Sequence, residues 1–378
     1  KIRIMSLKHG GSIVRDGLIF GYDLDNVKSF KGAPVTNLLT GAGTTNLANG
    51  AILSGSATRT DLGNGFVKFE VTAQITYRMY CNLATLTNGQ TYGCSVKYKD
   101  NTCTTLAMDW CDTSVTGGVN TPSGDNGIIY GSGTRGTYDS TYRFLDINIG
   151  IGSVTLYEAQ VDSVSVPTPY VNGTRSNTAS VLDQFGDSTI TVNSITPEVN
   201  NKVSFDGTDY ITVPSANLKP TITITQECWF RSTTTGTSQV MIGLQYGTST
   251  SNSYALWWTN TQWATGINVG GTFYQLTNNT HPRATNTWYH FASTYDGANI
   301  KMYVDGEEID SVARSGLIGY DASNTLVTLG ADFNGAGYNS GVTTHIQGEL
   351  PVVKIYNRAL TATEIKQNFQ ALRSRFGL

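Results

Sequence analysis

The segment 288–309, WYHFASTYDGANIKMYVDGEEI, carries two Asp-Gly pairs, Asp296-Gly297 and Asp305-Gly306. Asp-Gly tolerates the positive φ that tight hairpins demand. Between the pairs Ile300, Met302 and Val304 alternate with Lys301 and Tyr303, so the segment reads as strand, turn, strand, turn. Trp288 to Tyr295 has bulky side chains on both faces, which places that strand centrally, covered on each side. The rest of the chain repeats this chemistry. It holds 41 glycines and abundant Thr, Ser and Asn, with only 14% charged residues, which suits many short strands joined by turns. The expected fold class is all-β, and 378 residues exceed one ordinary core, so two domains or three are expected.

Three zones follow along the chain. Residues 16–31, DGLIFGYDLDNVKSFK, look like a buried strand, yet the stretch from Pro34 to about Gly65 offers it little to pack against. From 36 to 175, period-two strands recur at Val67–Val71, Tyr92–Tyr98 and Arg143–Ile147, and VPTPYVNGTRSN closes the zone with two prolines and an Asn-Gly turn. It reads as a β-sandwich of its own. Residues 176–378 form the third zone, whose tail turns helical: Thr361 and Glu364 make a capping box, Leu360 and Ile365 a hydrophobic staple, and Ile365, Phe369, Leu372 and Phe376 share one face.

Several classes are disfavoured. A net charge of −3 without a basic run argues against nucleic acid as a partner. No apolar stretch reaches the roughly 18 residues a membrane-crossing helix needs, and no membrane partner is expected. No secretory leader is visible at the start, where Met5 is a candidate initiator. The five cysteines, Cys81, Cys94, Cys103, Cys111 and Cys228, include no C-x-x-C pair, which argues against a zinc ribbon. Cys94 and Cys103 could face each other across a hairpin, although small buried thiols in a sheet are the favoured reading.

The segments FDGTDYITVP (205–214), WYHFA…KMYVDG (288–306) and IYNRALTATEI (355–365) resemble the laminin G-like, concanavalin A-like jelly rolls. The ends, GGSIVRDGLIFGYDLDNVKS and NFQALRSRFGL, resemble the boundaries of such domains in structural proteins of tailed bacteriophages. Residues 36–175, closing with EAQVDSVSVPTPYVNGTR, resemble jelly-roll carbohydrate-binding modules. The resemblance implies two jelly-roll β-sandwiches. One is discontinuous, built from 12–35 plus 176–378 and closed by the C-terminal helix; the other, 36–175, is inserted into it. Pairing of residues 16–24 with strands of 66–165 alone would remove that arrangement.

Catalytic apparatus is not visible. The E-x-D-x-x-E pattern of lectin-like glycosidases is missing, and the acidic run from Asp305 to Asp310 is explained by a solvated turn. Of His9, His281, His290 and His345, His290 sits within the W-x-H strand and is expected to be a hydrogen-bonded core histidine. No G-x-S-x-G occurs, and Gly335-Ala336-Gly337 does not precede a helix. No cofactor is expected. Calcium is the one the resemblance brings up, with Asp206, Asp209, Asp332 and Asn334 as candidate ligands. Against it, Leu350-Pro351-Val352-Val353 stands where relatives carry an acidic I-D-E-V, and Pro351 predicts an edge or bulged strand.

Sugar binding needs aromatic faces beside polar groups that read hydroxyls. Trp257, Trp258 and Trp263, with Asn260 and Gln262, have that composition, and consecutive tryptophans in a strand point to opposite faces. Trp110, Tyr130, Tyr138 and Tyr142 are further candidates in the second zone. The expected function is a non-enzymatic virion structural protein of a tailed phage, a capsid decoration, head-fibre or tail-associated chain displaying glycan-binding sandwiches at the virion surface after assembly in the host cytoplasm. Its expected partners are other virion proteins, reached through an N-terminal arm at residues 1–11, and surface polysaccharide; homo-oligomer formation is compatible with the sequence. The alternatives are an accessory chain of a polysaccharide-degrading enzyme, marked by two carboxylates about 5–10 Å apart, and a secreted bacterial lectin or adhesin.

Overall fold

The computed structural model describes residues 12–24, 26, 29–32, 35–36, 38–39, 47, 50–80, 87, 89–110, 124–134, 144–163, 174–198, 202–244, 252–259, 261–333 and 342–378. These form antiparallel sheets throughout, with one α-helix, Ala362–Leu372, among the described residues. The chain divides into two compact units. The first comprises Lys1–Lys31, Asn177–Thr196 and Lys202–Leu378, and the second comprises Gly32–Ser176 with Pro197–Asn201.

The first unit stacks two sheets. One runs in the order Lys202–Asp206, Gln347–Tyr356, Ile224–Ser232, Trp288–Tyr295, Asn299–Val304 and Glu307–Ala313. The strand Leu18–Asp23 joins it beside Gln347–Tyr356, with Phe20 opposite Ile355, Tyr22 opposite Val353 and Asp23 opposite Val352. The Lys202–Asp206 strand takes the other half of that same edge, where Phe205 faces Gly348. Phe20 and Tyr22 are buried, as the apolar run of the opening strand requires. The second sheet runs Thr191–Asn193, Tyr210–Pro214, Leu326–Leu329, Gln239–Leu244, Tyr254–Trp258, Trp263–Val269 and Thr272–Asn278.

Alternation assigns the faces. Phe230 and Phe291 point between the sheets and meet Trp258 and Trp263, with ring centroids 4.9 to 6.0 Å apart in edge-to-face arrangements. Trp229, one residue on, points the other way and lies under the C-terminal helix. There it stacks on Phe369 at 5.6 Å and on Phe376 at 4.3 Å. The helix begins as its sequence dictates: Thr361 accepts from the Glu364 backbone N–H, and the Glu364 carboxylate accepts from that of Thr361. The Asp305-Gly306 bend has both residues at positive φ, 51° and 81°, the requirement of a type I′ hairpin. Trp288–Tyr295 is central, paired on both edges.

Two open readings are resolved and one expectation, that of a hydrogen-bonded His290, is corrected. Of the edge or bulged strand expected at Pro351, the structure has the bulge, in a strand paired on both sides: Trp229 faces Val352 and Arg231 faces Glu349, so Leu350 and Pro351 together oppose Phe230. The bulge tolerates the missing N–H, while the Pro351 carbonyl still accepts from Leu24. Cys94 and Cys103 are free thiols, and burial of Cys94 in its strand pushes its pKa up. Cys81 and Cys111 lie outside the described residues. His290 is buried, but neither ring nitrogen makes a hydrogen bond, because the ring packs against Trp229 and Phe369.

The second unit turns on one long strand, Phe66–Tyr80. Its first half pairs with Gly152–Val161, its second with Phe144–Ile149, and Ala51–Gly63 runs along its other edge. Thr91–Lys99 and Gly127–Thr134 extend the sheet beyond Gly152–Val161, and Leu106–Trp110 extends it beyond Phe144–Ile149. Val67, Phe69, Val71, Ile75, Tyr77 and Met79 all face one core, so the period-two pattern read in the sequence persists along the whole strand.

Candidate functional site

Trp257 and Trp258 are neighbours with opposite fates. Trp258 points inward and is fully enclosed, as is Trp263, whose indole N–H donates to the His281 carbonyl at 3.2 Å. Neither presents a ring face to a sugar, which corrects their reading as glycan contacts: the inner face of this sheet is the sandwich core. Trp257 points outward and is only half-buried. It stacks on Phe273, with centroids 6.4 Å and planes 23° apart.

Register brings these rings together across two strands. Trp257 pairs with Ala264, which pairs with Thr277; Ala255 pairs with Gly266, which pairs with Gln275. Phe273 lies across Gly266, where an added Cβ would come within 2.3 Å of the ring. Glycine at 266 therefore lets the phenyl lie flat beside Trp257. Gln275 and Thr277, both exposed, belong to the same face and bring an amide and a hydroxyl to the edge of the aromatic pair. Sequence reading named Trp257 and missed Phe273, Gln275 and Gly266. The available signal was the hairpin turn at Gly270-Gly271, which fixes the register of 263–269 against 272–278.

The remaining candidates scatter. Asn260, Tyr138, Tyr142 and Asn334 lie outside the described residues, as does the side chain of Trp110. Tyr130 belongs to the second unit, and Gln262 caps the 259–262 turn, its N–H donating to Thr259. Asp206 is exposed and holds the Thr208 N–H at 2.8 Å, while Asp209 is buried and accepts from the Asp206 N–H at 3.1 Å. Burial lowers the pKa of nearby His345 against the opposing pull of Asp209 and Asp206. Asp332 lies in the short strand Asp332–Phe333. Among the described residues no three His, Cys, Asp or Glu side chains converge as a metal site.

A charged group buried in the first unit lies beneath the helix. Glu227 ion-pairs with Lys354, and its other oxygen is 3.7 Å from His290 Nε2. Burial raises this carboxyl, but Lys354 and His290 outweigh burial and carry it down to about 2. With the helix over it, this carboxylate is structural rather than open to a substrate.

Residues 205–366 match the family model Laminin_G_3, the concanavalin A-like lectin/glucanases superfamily. That stretch resembles a concanavalin A-like domain and contains Trp257, Phe273, Gln275 and Thr277. No curated protein matches the chain. Among solved structures, the receptor binding domain of botulinum neurotoxin D is similar at 14% identity and a TM-score of 0.39, over 52% of this chain and 51% of that one. The botulinum neurotoxin serotype G binding domain is similar at 13% identity and a TM-score of 0.38, over 50% and 48%. The Ruminococcus gnavus IT-sialidase CBM40, bound to alpha2,3 sialyllactose, is similar at 17% identity and a TM-score of 0.35, over 40% and 84%. The chain spans about half the length of the toxin domains it matches.

Proposed function

We propose that the chain is a non-enzymatic, lectin-like protein that binds surface polysaccharide through the Trp257 face. The observation that carries this reading is the outward, half-buried Trp257–Phe273 stack on a concanavalin A-like domain, edged by Gln275 and Thr277. A ring pair of this kind offers a flat apolar surface to the C–H face of a pyranose, and the flanking amide and hydroxyl pair with its hydroxyls. The enclosed position of Glu227 supports a binding rather than a hydrolytic role. No cofactor enters the proposal, so binding is expected to persist in EDTA. The test is a glycan array probed with the full chain and with Trp257→Ala: loss of signal in the variant supports the reading, and equal signals overturn it.

The finer proposal places the protein at the surface of a tailed-phage virion, as a capsid decoration, head-fibre or tail-associated chain, with residues 36–175 a module inserted into the sandwich. It rests on the resemblance of the two chain ends to such proteins. Residues 1–11, the proposed attachment arm, lie outside the described residues. Deleting them is expected to abolish incorporation into particles while the protein stays folded; unchanged incorporation removes the arm.

A further inference from the structure

Glu158, in the second unit, has a φ of 49°, a left-handed conformation strained for any residue with a Cβ. It sits in a bulge: Ser95 pairs with Gln160 and Lys97 with Tyr157, so Glu158 and Ala159 together oppose Val96. Glycine is the usual occupant of a left-handed bulge position. Strain of this kind concentrates at binding sites, where bulges re-aim side chains. Here the bulge is accompanied by an ion pair between Glu158 and Lys97.

An aromatic pair flanks that ion pair. Phe66 and Tyr157 stack with centroids 4.8 Å and planes 16° apart, and the Lys99 ammonium lies 4.7 Å from the Phe66 centroid. The registers explain why. Val67 pairs with Leu156, both enclosed in the core, so Phe66 and Tyr157 fall next in line on the opposite, outer face. Lys97 continues that row across a third strand, and Lys68, Thr155 and Lys99 form the adjoining row. Strand spacing and rise make the two rows roughly 10 Å long and about 7 Å apart, a footprint fit for a pyranose or two.

Charge identifies the class of ligand. Lys68 pairs with Glu70 at 2.8 Å and Lys97 pairs with Glu158, whereas Lys99 has no carboxylate partner among the described residues. An unbalanced cation therefore stands on an aromatic face in a chain whose net charge is −3.

We infer that this face is a second saccharide site, selective for a pyranose that bears a carboxylate. The sugar's apolar face lies against the Phe66–Tyr157 pair, Lys97 and Glu158 hold its hydroxyls, and Lys99 takes the carboxylate. The inference shares only the ligand class with the lectin-like reading and uses none of its residues.

The test takes the full chain against oligogalacturonate, oligomannuronate, hyaluronan and polysialic acid, each beside its methyl-esterified counterpart, by titration calorimetry. At least one acid is expected to bind roughly tenfold tighter than its ester, the scale of a hydrogen bond to a charged group. Lys99→Gln, a nearly isosteric change at a half-buried side chain, should erase that preference. Tyr157→Ala should weaken both forms by about tenfold. Trp257→Ala should leave acid binding unchanged. Four acids that bind no better than their esters, or a preference that survives Lys99→Gln, overturn the inference. A preference lost only in Trp257→Ala also overturns it and leaves the lectin-like reading of the first unit standing.

Discussion

Asn368 on the C-terminal helix donates through Nδ2 to the Glu227 carboxylate at 2.8 Å, and both side chains are buried. The same amide donates to the Tyr356 hydroxyl at 3.0 Å and, through Oδ1, accepts from the Val14 backbone N–H at 2.7 Å. One side chain thus ties the helix to the central strands and to the segment leading into the first strand. Glu227 is the charge on which this junction depends, because Lys354 beside it is equally enclosed.

Glu227→Gln is therefore expected to destabilise the first unit by about 3–5 kcal/mol, since it leaves the Lys354 ammonium buried without its counter-charge. Urea unfolding followed by tryptophan fluorescence measures this. Joint replacement of Glu227 and Lys354 by Leu and Met should recover much of the loss, because the ammonium is removed with its partner. Failure of the double variant to exceed the single one would contradict this account.

Acid should act through the same group. Glu227 titrates at about 2 in the folded chain, below its ordinary 4.5, and Glu364, which accepts hydrogen bonds from Arg358, is also lowered to about 2. A carboxyl depressed by folding binds fewer protons in the native state. Its stabilisation is complete above the unfolded value and disappears as pH falls through the folded one. Thermal midpoints should decline between pH 4.5 and 2, and Glu364→Gln should flatten part of that decline. A decline unchanged in the variant would remove Glu364 from the cause.

Phe376 closes the other end of the helix segment, with its ring 4.3 Å from Trp229 and 4.7 Å from Trp288 between centroids. Arg375 beside it forms two hydrogen bonds to Asp23, at 2.7 and 2.8 Å. Phe376→Ala should cost about 3 kcal/mol by emptying the slot between the indoles. Arg375→Ala should cost less than about 1 kcal/mol, because its ion pair is partly exposed. Differential scanning calorimetry separates the two.

The contrast between local and distant signals explains what could be read from the sequence. The capping box at Thr361 and Glu364 lies within one turn, so propensity alone located the helix start. The central position of Trp288–Tyr295 followed from bulk on both faces. By contrast, alternation shows that Trp257 and Trp258 face opposite ways but not which way is inward. That depends on Phe230 and Phe291, contributed by the facing sheet. The Phe66–Tyr157 stack joins residues about ninety positions apart in the chain, and the Glu158 bulge that accompanies it leaves no mark in composition.

The paired tryptophans offer the sharpest separation of binding from stability. Trp258→Ala removes a fully enclosed indole that meets Phe230 at 5.2 Å and Trp263 at 5.8 Å, and should cost about 3–5 kcal/mol. Trp257→Ala removes a half-exposed one and should cost about 1 kcal/mol while abolishing glycan binding at the Trp257–Phe273 face. Gly266→Ala keeps both indoles in the chain. Its methyl would meet the Phe273 ring at 2.3 Å and push it off the sheet, so it should weaken binding with Trp257 still in place. Chemical denaturation and glycan binding measured on all three variants test this together. If Gly266→Ala bound as the unmodified chain does, the Phe273 ring would not be part of the platform, and the saccharide would rest on Trp257 alone.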